Sequence, residues 1–478
     1  MSKNLKKYIL WFAQEHVDFR FPEIQSILKL FNISQNFSKP TNSELPFWII
    51  DLPDEEAARK IASRSISLRC IVELWAQAKS IPVLHTAVRK MVDDNPQWKE
   101  TIFHRNSSFK MNIEMYNKHM NQAAKVAKIE TFNYLPVTGE VNLKDPDVQF
   151  TYIEFYGLDP MNVPPEPDNV LFGRWIANGR RRDLKELSLK QRKFIGNTSM
   201  DPQLSLLMAN QALVQDGHLI FDPFVGTGSL LVSAAKFGGY VLGTDIDFLM
   251  LHGKTRPSRI KQKVREKDES IRANLAQYGC ESRYLDVLVS DFSQPIWSGN
   301  FHLDAIITDP PYGIRESTAK VSAKEGSSSK PPSPPPGQFH CPSRSHYDLD
   351  EIFRDLLLFS VKHLKLGGRL VAWNPVIRPE YSDDTLPSHP CMKLVANSEQ
   401  ILSTYSSRRL LTYEKIAEGK DSPATSTDEG ILETNMNFRE KFFFHREETR
   451  KERRLYKVQQ RIRGLEEKAK RRKDTALE

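Results

Sequence analysis

The segment Asp309-Pro310-Pro311-Tyr312 places an acid, two prolines and an aromatic ring in consecutive positions. Prolines lack an N–H group and hold the backbone extended, which leaves the neighbouring carbonyl groups free to accept hydrogen bonds. The Asp309 carboxylate and the Pro310 carbonyl can therefore hold both hydrogens of an exocyclic amine, while the Tyr312 ring stacks on the base that carries it. The pattern predicts a site that presents an aromatic amine as a nucleophile, a task that requires neither a metal nor a cysteine. Read alone, the tetrapeptide is equally typical of a Pro-rich turn.

A second motif, DPFVGTGS, runs from Asp222 to Ser229 between a predicted strand and a predicted helix. Gly226 and Gly228 allow the backbone to turn close to a ligand at the start of that helix. Phe224 and the proline before it occupy the place of the first glycine of a dinucleotide fingerprint, which disfavours a dehydrogenase. The initial acid suits a cofactor with a cationic amino group, such as S-adenosyl-L-methionine. An ordinary strand-to-helix turn is the alternative.

Two further acids follow the next predicted strands. Asp245 can accept hydrogen bonds from both ribose hydroxyls of an adenosine ligand, with Asp247 as the second choice. Asp291 can bind the adenine amino group. The motif with Asp245 and Asp247 could instead cap the following helix, and Asp291 alone is a weak signal, so the prediction depends on the order of these acids in front of Asp309.

The elements that must position these residues alternate between strands and helices, which predicts an α/β domain with a parallel sheet. It is assigned to residues 197–436, with a mobile Ser/Pro insert at 317–345. Residues 1–170 mix strand and helix patterns and predict a separate α+β domain. The predicted elements of the two domains include helices over 55–74 and 259–278, strands over 218–222, 240–244, 286–291 and 304–309, and a closing hairpin over 393–416.

Charge is concentrated in two segments of this 478-residue chain. Residues 439–478 hold 15 basic and 8 acidic residues, so the tail assigned to 437–478 carries nearly all of the net charge of +8. Residues 171–196 form a predicted basic linker, in which a solvated helix and a phosphate-binding patch are equally compatible with the pattern. The candidate phosphate contacts are Arg174, Arg180, Arg181, Arg182, Lys190 and Arg192.

The remaining composition excludes several classes of protein. The apolar runs are too short for a membrane span, and the N-terminal run from Tyr8 to Ala13 is too short for a signal peptide. The four cysteines form no C-x-x-C pair, so neither a disulfide framework nor a zinc module is predicted. A reducing compartment, the cytoplasm before the nucleus, is the expected location.

The strings DPFVGTGS, GTDID and DPPYGIRE together resemble the Trm11 family, whose members are S-adenosyl-L-methionine-dependent amino-methyltransferases with a Rossmann-like catalytic domain. The string from Gly173 to Trp175 and the run from Phe194 to Pro202 support this match. The resemblance implies an N-terminal ferredoxin-like and THUMP-like region that binds tRNA, and methylation of N2 of the guanosine at position 10. It also implies a cofactor pocket closed from one side by the segment around Thr198, and a small zinc-binding activator subunit as partner.

Two other functions remain compatible with the motifs. The Asp-Pro-Pro-Tyr corner recognises an amine and not a particular polymer, so the substrate could be DNA or protein. The chain could also be a non-catalytic RNA-binding subunit that retains the fold. The intact set of Asp222, Gly226, Gly228, Asp245 and Asp309 favours an enzyme.

Overall fold

The computed structural model describes residues 5–34, 37–294, 296–314, 316, 318–321, 344–419, 438–445, 450–451, 454–455 and 458–459. These residues form two large sheets, each with its own helices, and one two-stranded ribbon. The α/β alternation expected for the second half of the chain is present. Among the helices of the described residues, none combines the length and apolar character that crossing a bilayer requires.

The first sheet has six strands in the order β2-β1-β3-β6-β5-β4, and only β4 and β5 run parallel to each other. The strands are β1 (Lys6–Phe12), β2 (Phe47–Leu52), β3 (Leu68–Ala78), β4 (Phe109–Tyr116), β5 (Val148–Phe155) and β6 (Asn169–Asn178). The helices are α1 (Arg20–Leu30), α2 (Glu55–Ala62), α3 (Ile81–Asp93), α4 (Trp98–Thr101) and α5 (Gln122–Glu130). Three apolar clusters involve this sheet: one joins β1 and β2 to α1 and α2, a second surrounds the stacked rings of Trp75 and Trp98, and a third is formed by side chains of β1, β3, β5 and β6.

The second sheet has seven strands in the order β14-β15-β13-β10-β7-β8-β9. Five of them are parallel, and the hairpin of β14 and β15 adds two antiparallel strands at one side. The strands are β7 (Leu219–Asp222), β8 (Tyr240–Asp245), β9 (Tyr284–Val289), β10 (Leu303–Thr308), β13 (Leu364–Ile377), β14 (Met392–Ile401) and β15 (Ser406–Lys415). The ribbon consists of β11 (Ala319–Val321) and β12 (Arg344–His346).

Helices cover both faces of the second sheet, as a parallel sheet requires. They are α6 (Arg182–Glu186), α7 (Pro202–Gln211), α8 (Ser229–Lys236), α9 (Phe248–Leu251), α10 (Ile271–Gln277) and α11 (Leu349–His363). One apolar cluster includes α7, α8 and α10, and the other includes α11. The strand order reverses between β7 and β10, and ligands of open α/β sheets bind at the carboxyl ends of the strands at such a point.

The two sheets are joined by a continuous apolar core. Phe19 and Ile66 of the N-terminal domain belong to the same buried cluster as α7 and α8. The ring of Phe19 lies 5.8 Å from that of Trp373 on β13. Burial of these side chains favours a fixed arrangement of the two domains.

The fully buried Glu23 of α1 makes polar contacts in the same region between the two domains. One carboxylate oxygen accepts from the Ile66 N–H at 2.7 Å and from Asn210 of α7 at 2.8 Å. The other accepts from the Ser65 hydroxyl at 2.8 Å and the Ser67 N–H at 3.1 Å. A buried carboxylate is tolerated only when it is hydrogen-bonded in this way, so Glu23 links the two domains through its acceptor atoms.

Several sequence predictions are wrong in their extent. The helix predicted over 55–74 ends at Ala62, because β3 begins at Leu68 with the β-branched and aromatic residues of a strand. The helix predicted over 259–278 is reduced to α10, since Arg265 hydrogen-bonds the Thr255 and Ile195 carbonyls and holds the preceding segment as a loop. The predicted linker boundary at residue 171 lies inside β6. Most of the predicted insert, residues 322–343, lies outside the described residues, and β11 and β12 pair at its two ends.

Candidate active site

A cleft of about 1820 Å³ lies at the carboxyl ends of β7, β8 and β10. Its walls include every predicted catalytic residue and every predicted cofactor residue except Gly228. These residues are Thr198, Asp222, Phe224, Gly226, Asp245, Asp291, Asp309, Pro310, Pro311 and Tyr312 on its walls, with Gly228 at the adjoining start of α8. Motifs that are far apart in the chain therefore meet in a single site, because the strands that precede them are parallel neighbours.

Asp222 ends β7 and is almost completely buried. Its Oδ1 accepts hydrogen bonds from the Thr308 hydroxyl at 2.8 Å and the Phe224 N–H at 3.0 Å. Removal from water raises the pKa of Asp222 to about 7. A cationic ligand group would offset this desolvation, so the residue fits a cofactor that carries an amino group.

The loop after Asp222 contains two glycines with left-handed backbone, Gly226 at φ 53° and Gly228 at φ 76°. A Cβ added to Gly228 would lie 2.7 Å from the Ile271 side chain, so space as well as conformation requires glycine there. The Gly226 N–H donates to Asp245 Oδ2 at 2.8 Å, which joins the loop to the end of β8. The DPFVGTGS loop and Asp245 thus form one hydrogen-bonded unit.

Asp245 accepts a second backbone hydrogen bond, from the Asp247 N–H to Oδ1 at 2.8 Å. Burial raises the pKa of Asp245 to about 6. Each of its oxygens retains a lone pair, so the oriented carboxylate fits a pair of ribose hydroxyls. Asp247, the second choice, caps α9 by accepting from the N–H groups of Leu249 and Met250, which is the alternative foreseen for it.

Asp291 and Thr198 lie on opposite sides of the cofactor loop. Asp291 accepts from the Ser293 N–H at 2.9 Å and from the Val321 N–H of β11 at 2.5 Å, which ties one end of the insert to the cleft. The Thr198 hydroxyl donates to Glu316, just after the Asp-Pro-Pro-Tyr segment. Both contacts connect the cofactor side of the cleft to the catalytic side.

Asp309 follows β10 and is held by two partners. The Tyr312 hydroxyl donates to Oδ1, and Arg408 of β15 donates to Oδ2 at 3.3 Å. Desolvation raises the pKa of Asp309, and the Arg408 guanidinium opposes that rise. Burial and the Asp309 charge keep the pKa of Tyr312 well above its ordinary value, so that the phenol stays protonated and donates. The corner therefore contains a carboxylate acceptor of fixed orientation.

Arg408 is a site residue that the sequence pattern did not reveal. Its guanidinium lies 4.1 Å from the ring centroid of Trp373 and donates to Gln400 at 2.6 Å. These contacts direct it toward Asp309, 99 residues earlier in the chain. Only the antiparallel return of β15 beside β13 creates this pair, so no local motif could have identified it.

The predicted phosphate contacts do not form one surface. Arg174 lies on β6 in ion pairs with Glu55 at 2.6 Å and Glu73 at 2.9 Å. Arg192 has no exposed surface and donates to the Ser229 hydroxyl at 2.9 Å, at the start of α8. The prediction of a phosphate contact is wrong for Arg192, because a buried guanidinium cannot reach a polyanion.

Of the other four cations, two are engaged within the protein and two are exposed. The engaged pairs are Arg180–Asp183 at 2.5 Å and Arg181–Glu15 at 3.0 Å. The Arg182 side chain is 91% exposed, and Lys190 is also exposed. The candidate patch is thereby reduced to Arg182 and Lys190.

The charged tail contributes to the cleft, which its excess of basic residues did not indicate. Residues 438–445 are helical, and Phe438, Phe442 and His445 lie on the cleft wall. His445 stacks on Tyr405, which connects β14 to β15, with ring centroids 3.6 Å apart. An aromatic side chain of this helix therefore forms its contact with the β14–β15 connection.

Known proteins resemble this chain over nearly its whole length. A sequence profile described as the Tmrp11 THUMP N-terminal domain matches residues 6–181, and one described as an RMKL-like methyltransferase domain matches residues 190–324. A Bos taurus protein named tRNA (guanine(10)-N(2))-methyltransferase TRMT11 is 46% identical over 448 residues, covering 92% of this chain and 95% of the relative. A Saccharomyces cerevisiae protein named tRNA (guanine(10)-N(2))-methyltransferase is 35% identical over 458 residues, covering 92% and 99%.

Among solved structures, TrmN from Thermus thermophilus is 17% identical with a TM-score of 0.41, covering 86% of this chain and 100% of that chain. The first profile confirms the THUMP-like N-terminal domain that the domain order alone had suggested. The second confirms the methyltransferase domain, and its cofactor is S-adenosyl-L-methionine. With profiles over both domains and relatives that match almost end to end, the chain belongs to the Trm11 family of tRNA guanine-N2-methyltransferases.

Proposed function

We propose that this protein methylates N2 of the guanosine at position 10 of tRNA, as the catalytic subunit of a complex with a small zinc-binding activator. The observation that carries the proposal is the Asp309 corner facing the Asp222 and Asp245 carboxylates across one cleft. The family relatives are named for this reaction. S-adenosyl-L-methionine supplies an electrophilic methyl group when it is bound.

The residues of the chain bind, orient and shield the reactants. Asp222 receives the cationic amino group of the cofactor, Asp245 its ribose, and Asp291 its adenine, while Gly226 and Gly228 let the loop approach it closely. Thr198 closes the same pocket from the side. These carboxylates are already oriented by backbone hydrogen bonds, so little reorganisation is needed on binding.

At the other end of the cleft, Asp309 and the Pro310 carbonyl hold the two hydrogens of the guanine amine. Pro311 keeps the backbone extended, and the Tyr312 ring stacks on the base after it has left its helix. Arg408 favours the ionised form of Asp309, and an ionised carboxylate can accept hydrogen bonds but cannot donate them. Positioning supplies the rate enhancement, because an oriented amine attacks without a covalent enzyme intermediate.

The experiment compares methyl acceptors. Purified chain with radiolabelled S-adenosyl-L-methionine, assayed with and without the activator subunit, is expected to label tRNA and neither DNA nor protein, and nuclease digestion is expected to release N2-methylguanosine. The matched control is the same tRNA with adenosine at position 10, which should stay unlabelled. Label on DNA or protein alone, or undiminished label on the control tRNA, would exclude this function; absence of label from every acceptor would favour a non-catalytic subunit.

We propose that the activator binds at β9, one of the two edge strands of the second sheet among the described residues. Its exposed apolar side chains include Leu285, Leu288 and Val289. An apolar sheet edge promotes aggregation unless it is covered, and adding a strand to it is a common mode of association. Adding the activator to the methylation assay is expected to increase the label and to slow amide hydrogen exchange in β9. Unchanged exchange would place the contact elsewhere.

Arg182 and Lys190 are the proposed phosphate contacts. Alanine at both positions is expected to weaken tRNA binding and to reduce the slope of log affinity against log salt by about 2, since each phosphate contact contributes roughly 0.9. Fluorescence titration between low and physiological salt measures the slope. The control is Lys362→Ala on α11, at the opposite face of the sheet, which should leave it unchanged. An equal slope in the double variant would show that the pair is solvated.

The compartment is proposed from the cysteines. Cys70, Cys280 and Cys391 are free thiols, two of them buried, which suits a reducing location such as the cytoplasm. A fluorescent fusion of the full chain tests this; accumulation in an oxidising compartment would contradict it.

A further inference from the structure

The helix of residues 438–445 contacts the catalytic loop through Arg439. The Arg439 Nε donates to the Gly313 carbonyl at 2.8 Å, and Gly313 directly follows Tyr312. A Cβ added at Gly313 would lie 2.8 Å from Arg439 Cδ, so the side chain also packs closely on the glycine backbone. Gly313 has φ 73°, a conformation that sharply turns the chain after Tyr312.

The helix is fixed to the second sheet at other points. Phe438 is buried, and His445 stacks on Tyr405. Lys441 pairs with Glu380 at 2.5 Å outside the Asp309 corner, but both side chains are partly exposed, so this pair contributes little to the anchoring. The Arg439 guanidinium lies 5.6 Å from the ring centroid of Phe443 on the same helix, which orients it. A helix anchored in this way can hold a loop in place.

We propose that the helix of residues 438–445 completes the active site, and that Arg439 is a positioning residue that fixes the Gly313 carbonyl and through it the ring of Tyr312. The inference deepens the proposed function, on which it rests for the role of Tyr312. Gly313 directly follows the Asp-Pro-Pro-Tyr segment. The hydrogen bond from Arg439 to the Gly313 carbonyl therefore restrains the end of that segment. The charge of Arg439 strengthens that bond to a neutral carbonyl.

Arg439→Ala is expected to lower kcat for tRNA methylation about 10- to 100-fold, the range for a lost hydrogen bond to a charged group. The dissociation constant for S-adenosyl-L-methionine, measured by calorimetry, should change by less than about twofold, because Arg439 contacts the catalytic loop and not the predicted cofactor residues. Millimolar guanidinium should restore part of the lost kcat. Lys441→Ala is the matched control, since it removes a cation from the same helix without touching the loop, and it should retain wild-type kcat.

Amide hydrogen–deuterium exchange provides a readout that does not depend on catalysis. A peptide spanning 309–314 should exchange faster in Arg439→Ala than in wild type or Lys441→Ala, since the restraint on Gly313 is lost. Wild-type exchange together with wild-type kcat in Arg439→Ala would overturn the proposal. If the wild-type chain fails to methylate tRNA, the proposed function fails, and the exchange comparison still decides whether Arg439 restrains the loop.

Discussion

Asp309→Ala should reduce methyl transfer to tRNA by about a hundredfold to a thousandfold, the range for removing one preorganised hydrogen-bonding group from a reacting centre. The variant loses the acceptor that holds the guanine amine and leaves Arg408 facing a cavity without its partner. Binding of S-adenosyl-L-methionine should be largely preserved, because the Asp222 and Asp245 carboxylates are held by the Thr308 hydroxyl and by backbone N–H groups, and neither is hydrogen-bonded to Asp309. Single-turnover rates with saturating cofactor, alongside calorimetric cofactor binding, measure the two effects separately. Undiminished transfer would remove Asp309 from the mechanism.

The pH dependence of the same reaction provides a second readout. In the proposed mechanism the ionised form of Asp309 is the active one, and desolvation raises the pKa of Asp309 despite the opposing charge of Arg408. Activity should therefore be complete above that raised pKa and should fall as the pH decreases through it. Saturating cofactor separates this limb from protonation of Asp222 and Asp245, whose raised pKa values affect cofactor binding. In Asp309→Asn, which keeps one oxygen acceptor but cannot ionise, the acidic limb should disappear from a kcat profile that is lower overall.

Glu23→Ala should lower the free energy of unfolding by about 3–5 kcal/mol, a range typical of breaking a buried charged network. The substitution removes the acceptor shared by two backbone N–H groups and the Asn210 amide, and each unsatisfied buried donor costs about 1–3 kcal/mol. Urea unfolding followed by tryptophan fluorescence measures the change at the first transition. Because the hydrogen-bond network joins α1 to α7, the substitution should lower the stability of both domains together.

The matched control for this variant is Glu56→Ala, which removes an exposed carboxylate whose only described ion pair is with Lys60 one helical turn away on α2. Exposed pairs of that kind contribute about 0.3–0.5 kcal/mol, so its transition should nearly coincide with that of wild type. Equal stability of Glu23→Ala and wild type would show that the joint between the domains depends on apolar packing alone.

The fold of the catalytic domain could be predicted because short motifs, each next to its own strand, indicate it. DPFVGTGS and Asp-Pro-Pro-Tyr each lie at the end of a short apolar strand, and the rule that parallel strands align their carboxyl ends brings them together. Asp245 and Asp291 followed from the same rule. Their hydrogen bonds to backbone N–H groups could not be predicted, since they depend on the turns of each loop.

What the sequence did not reveal depends on contacts between distant segments. Arg408 reaches Asp309 only because a hairpin returns antiparallel to the sheet, and Arg439 reaches Gly313 from 126 residues away. Arg174 and Arg192 were misread for a related reason. A run of basic residues indicates the number of charges, but it does not indicate that one side chain points into a strand ion pair and another into a core.

The shared core around Phe19, Ile66 and Trp373 has a consequence for substrate choice. Because apolar side chains of both domains are buried in this one core, we expect the THUMP domain and the catalytic cleft to keep a constant separation. For the tRNA substrate proposed above, we therefore expect an RNA that presents the same guanosine at another distance from the THUMP domain to be methylated more slowly.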